Sequence, residues 1–294
     1  NWQDFELPSE TSDNQSWEVI WTDDPYHLIV TQAIHRVGFQ FLDGLFTEQQ
    51  RKYQSLNEKE KTMLSTVRNR DYVTTISEND KEIIREYCWH FTPKGSNRTY
   101  SYAITLAIDL DRYRKYASEP RVRNIEEYNI YAQTEMPEIS QLPLEFLKIF
   151  ADTKWSTYNK AFCVLKFVQN AVKYAHDIDT KQKEEWPRYP IETLAEGVGD
   201  CEDFAILCAS IMVRLGFDVV LLVYPEPCHM AFGVCGSPDM QGDYVFDEKT
   251  GKKYYYGEAT SDRWLLGEVP KEYKTETPKF IKVELMVKEE DGDE

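Results

Sequence analysis

Apolar positions along the chain recur with two periods. From residue 24 to about 45, Tyr26, Ile29, Val30, Ala33, Ile34, Val37 and Phe41 fall at helical spacing. The charged stretch 47–67 predicts a second helix with a more solvated face. Two strands are expected at 87–91 and 98–108, joined by a turn at Pro93-Lys94-Gly95-Ser96. The second alternates cleanly, with Tyr100, Tyr102, Ile104, Leu106 and Ile108 on one side. A short helix is expected at 144–150. Ser156 then caps a strong one, striped by Tyr158, Phe162, Leu165, Val168 and Val172. A further helical stripe, Phe204, Leu207, Cys208, Ile211, Met212 and Leu215, is closed by Gly216. Strand-like runs complete the chain at 218–224, 230–235, 253–260 and 280–287.

The start of that last helix carries the chemistry. In Gly199-Asp200-Cys201-Glu202-Asp203, Asp200 is a natural N-cap and Asp203 stands three residues on, like a capping box. A thiol on the first turn feels the positive end of the helix dipole, which favours the nucleophilic thiolate. Asp200, Glu202 and Asp203 oppose it, because each repels a second negative charge beside them. Cys201 therefore needs a cationic partner, and histidine is the natural supplier.

The five histidines are His27, His35, His90, His176 and His229. His27 and His35 lie on an amphipathic helical pattern, and His90 and His176 have no neighbouring nucleophile. His229 opens a strand after the Pro225-Glu226-Pro227 turn, where an imidazole reaches a neighbouring helix start. A third group usually accepts the other imidazole N–H. Glu258 lies in the tyrosine-rich strand that follows, and a carboxylate among apolar and aromatic residues calls for a partner. Asp262 is its rival.

This order, cysteine on a helix start, histidine on a strand and an acid on the next strand, resembles the transglutaminase-like superfamily, whose core is papain-like. The segment Arg188-Tyr189-Pro190-Ile191-Glu192-Thr193-Leu194, the surroundings of His229, and Gly257-Glu258-Ala259-Thr260 with Gly267 and Pro270 resemble a prokaryotic branch of it. The likeness spans about residues 83–285 and is strongest over 156–270. It implies an α+β fold, with an antiparallel sheet packed on the cysteine-bearing helix and an N-terminal helical extension outside the likeness. The corresponding division is a polar linker at 1–16, the extension at 17–80, the transglutaminase-like domain at 81–288 and an acidic tail at 289–294. The resemblance further implies Cys201 as nucleophile, His229 as base and Glu258 as the third residue, where many relatives carry aspartate. The implied reaction is thiol-dependent acyl transfer on a peptide or protein amide, with hydrolysis preferred. A crosslinking transglutaminase and an inactive peptide- or cell-wall-binding module are the alternatives.

Composition narrows the partners. At 294 residues with 19 Tyr, 14 Phe and 7 Trp, the chain can bury a sizeable core. Its net charge of −17 disfavours nucleic acid and anionic membrane surfaces. No apolar run is long enough to span a bilayer. A first residue of Asn1 and a polar opening fit an exported bacterial protein, periplasmic or surface-anchored. Six cysteines in a chain this long make no disulfide framework. Cys88, Cys163, Cys208, Cys228 and Cys235 read as packed thiols, and Cys208 lies too deep to resolve an oxidised Cys201. No zinc spacing occurs, and the acidic loop with Asp239, Asp243, Asp247 and Glu248 reads as a solvated hairpin rather than a calcium site. Neither metal nor cofactor is expected. Trp186 and Tyr189 read as cleft walls or oxyanion donors, with packing the favoured role. Asp200 is a further candidate at the cleft, and Gln182 lies too far from the helix start to serve as an oxyanion glutamine.

Overall fold

The structure, a computed structural model, describes residues 73–151, 153–226, 228–237 and 240–285. The helices expected at 24–45 and 47–67, the opening linker and the acidic tail lie outside those residues. Strands β1 (Val73–Glu78), β2 (Glu82–Phe91) and β3 (Tyr100–Asp109) form an antiparallel sheet in that order. β1 falls inside the segment expected to be a helical extension. It is instead an edge strand, with Val73 opposite Tyr87.

Asp109 caps helix α1 (Leu110–Ser118) by accepting the Arg112 N–H at 2.8 Å. A 3₁₀ turn (Ile125–Glu127) and helix α2 (Asn129–Gln133) lead to α3 (Pro137–Phe150). α3 begins a full two turns earlier than its apolar pattern suggested, because Pro137 at the first helical position is already set for a helix. Ser156 caps α4 (Thr157–Ala171), accepting the Asn159 N–H at 3.3 Å. Short elements follow: β4 (Lys173–Tyr174), α5 (Asp177–Thr180), α6 (Pro190–Glu196) and β5 (Val198–Gly199), β4 and β5 pairing in parallel.

Helix α7 (Cys201–Arg214) is buried on nearly every side, as is α4, and the two pack on each other. Helices that are apolar all round belong in an interior. α4 also packs on β2 of the first sheet, and α7 lies on a second sheet. That sheet comprises β6 (Val219–Tyr224), β7 (His229–Cys235), β8 (Tyr244–Asp247), β9 (Lys252–Gly257) and β10 (Lys279–Val283). Its spatial order is β10-β6-β7-β9-β8, all antiparallel.

The fold is thus α+β with antiparallel sheets around buried helices. Alternation divides the second sheet: Val219, Leu221 and Val223 join the main core, while Val220, Leu222 and Tyr224 form a separate cluster on the other face with Tyr254 and Tyr256. Two expectations are corrected here. β8 occupies part of the stretch read as a polar hairpin, and Glu258 sits one residue beyond the end of β9 rather than on it. Among the described residues no helix is long and apolar enough to cross a membrane.

Candidate active site

The first turn of α7 is held by a buried ionic cluster. A Cβ on Gly199 would lie 2.7 Å from both the Cβ and Oδ2 of Asp203, so only glycine lets the chain pass this close. Asp203 Oδ2 accepts the Asp200 N–H at 3.3 Å, and Asp203 Oδ1 accepts the Arg188 N–H at 2.7 Å. The Arg188 guanidinium is wholly buried. It donates to Asp203 (2.5 Å), Asp177 (2.6 Å), Glu196 (2.9 Å) and Thr180 (2.6 Å). Asp177 in turn accepts the Trp186 N–H, and its own N–H donates to Asp200 Oδ2 at 3.2 Å. The sequence reading asked for a cation beside the Cys201 thiol and named histidine; it did not foresee that Arg188 meets the acid Asp203.

Cys201 is half-buried, and its thiol faces Glu202 Oε2 at 3.6 Å. Burial pushes this thiol well above its ordinary pKa. The Glu202 and Asp200 charges push the same way, against a hydrogen bond from the Met230 backbone N–H. The helix dipole expected to favour thiolate is outweighed. Glu202 is itself buried and raised, by burial first and then by Asp203 and Asp200.

His229 begins β7, next to the residue that contacts the sulfur. Its Nε2 lies 2.9 Å from Glu258 Oε2. Glu258 also accepts from Tyr256 Oη (2.9 Å), Thr260 Oγ1 (2.7 Å) and the Thr260 N–H (3.3 Å), and is 2% exposed. Burial alone would raise this carboxyl. The hydrogen bonds from His229, Thr260 and Tyr256 win and hold it below the usual carboxylate range. An ionised Glu258 requires the proton on Nε2, leaving Nδ1 as the acceptor. Gln169 Nε2 on α4 fixes the Glu258 carbonyl at 2.8 Å. Gly257 pairs with Phe232 on β7, and a Cβ there would sit 2.2 Å from the Phe232 ring. Glycine thus lets β9 approach the histidine strand.

The remaining candidates separate. Asp262 is exposed and contributes its backbone carbonyl to Lys166, so Glu258 rather than Asp262 meets the imidazole. Trp186 is half-buried against the Arg121 guanidinium (4.4 Å), and its Nε1 is buried without a hydrogen-bond partner. Tyr189 packs between Tyr116 and Tyr131, each 4.8 Å away by ring centroid, which is a packing role. Gln182 is exposed in a left-handed conformation. Cys163 and Cys208 are packed thiols, whereas Cys228, expected to be one, is exposed. The sequence reading missed Tyr273, whose ring stacks on His229 from a 3₁₀ turn (Lys271–Tyr273) before β10.

Asp177, Asp200, Glu202 and Asp203 bring one oxygen each within 4.8 Å of one another. Asp200 Oδ1 and Glu202 Oε1 are buried with no hydrogen-bond partner. An all-oxygen donor set suits a hard divalent cation. Arg188 already occupies Asp177 and Asp203, whereas the raised Glu202 carboxyl hydrogen-bonds Asp200, so a cation at that pair would take the place of the proton they share. These four residues belong neither to a zinc spacing nor to the hairpin acids from which no metal was expected.

No protein-family model and no curated protein sequence matches the chain. Among solved structures it is similar to Legionella pneumophila LapG in an EGTA-treated form, with 16% identity over 54% of this chain and 81% of that one, at a TM-score of 0.31. A candidate cysteine protease from Cytophaga hutchinsonii is 15% identical over 72% of this chain and 74% of that one, at 0.30. A TGase is 16% identical over 74% of this chain and 50% of that one, at 0.30.

Proposed function

We propose that the protein is a thiol-dependent acyl-transfer enzyme acting on peptide or protein amides, most simply a hydrolase, with a papain-like arrangement of α7 against the β7–β9 sheet. The observation carrying this reading is the His229–Glu258 pair, 2.9 Å apart, in which His229 begins the strand whose next N–H, that of Met230, hydrogen-bonds the Cys201 sulfur. His229 Nδ1 takes the Cys201 proton as sulfur attacks the amide carbonyl. The backbone N–H of Cys201 is the donor available to the developing oxyanion. When the tetrahedral adduct collapses, the imidazolium gives its proton to the departing amine and a thioester remains. Water then attacks the thioester, losing a proton to His229 and releasing the acid and the free thiol. An amine in place of water gives transamidation. Glu258 holds the imidazole by its Nε2–H and balances its charge.

The raised thiol makes neutralisation of the acid cluster part of this reading. A divalent cation held by Asp200 and Glu202 would cancel the repulsion that opposes a thiolate beside them. The test is alkylation of Cys201 by iodoacetamide against pH, together with turnover of peptide libraries scored against Cys201→Ala. An alkylation profile that shifts on His229→Ala, and turnover absent in Cys201→Ala, are expected. A profile indifferent to His229, with no turnover, leaves the alternative of a binding module.

A further inference from the structure

The sheet face opposite α7 carries a groove of about 1320 Å³, larger than a site for a drug-sized molecule. Its lining includes all of β8 and most of β10, the two ends of the five-stranded sheet. For both ends to border one groove the sheet must curl toward itself, leaving a gap where a closing strand would lie. On the β10 side the outward Lys282 carbonyl already accepts from Asn129 Nδ2 at 3.1 Å. β8 has β9 as its single strand partner among the described residues.

The register says which β8 groups face the gap. The Tyr256 N–H donates to the Asp243 carbonyl at 3.3 Å, and Val245 lies opposite Tyr254. Bonded and non-bonded positions alternate in an antiparallel pair. The N–H and C=O groups of Tyr244 and Phe246 therefore point away from β9. Their side chains are 44% and 48% exposed. Val245, by contrast, turns inward to the cluster formed by Val220, Tyr224 and Tyr254. The groove thus combines a strand edge that no described strand pairs with and an apolar floor.

We infer that this groove binds an extended segment of the substrate polypeptide, added as a strand to the β8 edge with apolar side chains at alternate positions on the floor. This rests on the acyl-transfer reading above and names how its substrate is held. The backbone repeat of a peptide satisfies an edge of alternating donors and acceptors, which a glycan does not. Lys274 pairs with Asp243 (2.9 Å) and Lys279 with Glu126 (2.8 Å) at the rim, and the rest of the lining carries more acids than lysines, which disfavours an acidic segment. Continuity with the site is direct: Tyr224 and Tyr273 line the groove, and their rings lie 6.5 and 4.5 Å from the His229 ring.

Binding and chemistry are tested separately. Full-length Cys201→Ala is titrated with fluorescein-labelled peptides of alternating apolar and polar residues, read by anisotropy. Phe246→Pro, which removes one outward N–H, is expected to weaken binding about tenfold, and Phe246→Ala, which keeps it, less than about twofold. Hydrogen exchange of wild-type protein is expected to slow at Tyr244 and Phe246 when peptide is added, a readout that survives if the proline variant fails to fold. Equal effects of proline and alanine overturn the inference. So do edge amides already protected in the free full-length chain, by its own residues or a second copy, or competition by a soluble glucan. Iodoacetamide labelling of Cys201 in Phe246→Pro is expected to match wild type. An unreactive Cys201 with peptide binding intact sinks the enzyme and leaves the groove standing.

Discussion

The Tyr273 ring lies flat on the His229 imidazole, with centroids 4.5 Å apart and planes within 4°. Tyr224 packs on Tyr273 at 5.2 Å. The stack shields the Nε2–Glu258 bond from water and offers a π-face to the imidazolium. Tyr273→Phe is expected to keep this and Tyr273→Ala to lose it. In Tyr273→Ala, kcat/KM is expected to fall about tenfold, because the ring that fixes the imidazole plane is gone. A kcat/KM identical in the alanine variant and wild type removes Tyr273 from any positioning role.

Glu258→Gln keeps the shape and removes the charge. The amide cannot balance an imidazolium, so turnover is expected to fall about 10²- to 10⁴-fold while circular dichroism stays native. Asp262→Asn, at an exposed position, is expected to be silent. Single-turnover rates of both variants decide the assignment, and the reverse result exchanges their roles.

Legibility in the sequence followed the range of the forces. α4 and α7 could be read because their caps and stripes lie within a few residues of each other, as at Ser156 and Asp200. The short helices α5 and α6 have no such stripe and are held by what they pack on, and α1 has only Leu110, Tyr113 and Tyr116 along one face. β1 was missed because its pairing with β2, and not its own pattern VTTISE, makes it a strand. At the site, His229 and Glu258 could be proposed because a buried carboxylate needs a partner. Arg188 and Tyr273 act across the fold, through contacts that no local spacing encodes.

Arg188 is the counter-charge for three acids around the start of α7. Removing one partner of a buried ion pair strands the others, at a cost of about 3–5 kcal/mol. Above about pH 8, where Asp203 is ionised, Arg188→Met is therefore expected to lower the urea midpoint by that equivalent, and Arg188→Lys to recover part of it, since an ammonium cannot reproduce the four-way fork. Equilibrium unfolding measures both. A midpoint unchanged in Arg188→Met would mean that Asp177 and Asp203 are neutral in the native protein.

The buried acids also set the pH dependence of stability. Burial pushes Asp203 up, to about 8, against the pull of Arg188, and it raises Glu202 as well. A carboxyl raised in the fold binds its proton more tightly folded than unfolded. Its contribution is full below the unfolded value of about 4 and is lost as pH rises through the folded value. Glu258, held low, acts in the opposite sense: its contribution is present above about pH 4 and disappears as pH falls through its folded value. In EGTA, Tm is therefore expected to climb from about pH 8 to about pH 5.5 and to drop below about pH 4. Glu202→Gln flattens the first limb and Glu258→Gln the second. A cation at Asp200 and Glu202 relieves the same repulsion that protons relieve. Millimolar calcium should then raise Tm by about 5 °C near neutral pH, less at acid pH, and least in Glu202→Gln. A calcium shift of equal size in Glu202→Gln would move the cation elsewhere, and a flat Tm in EGTA would mean that Glu202 is no burden to the fold.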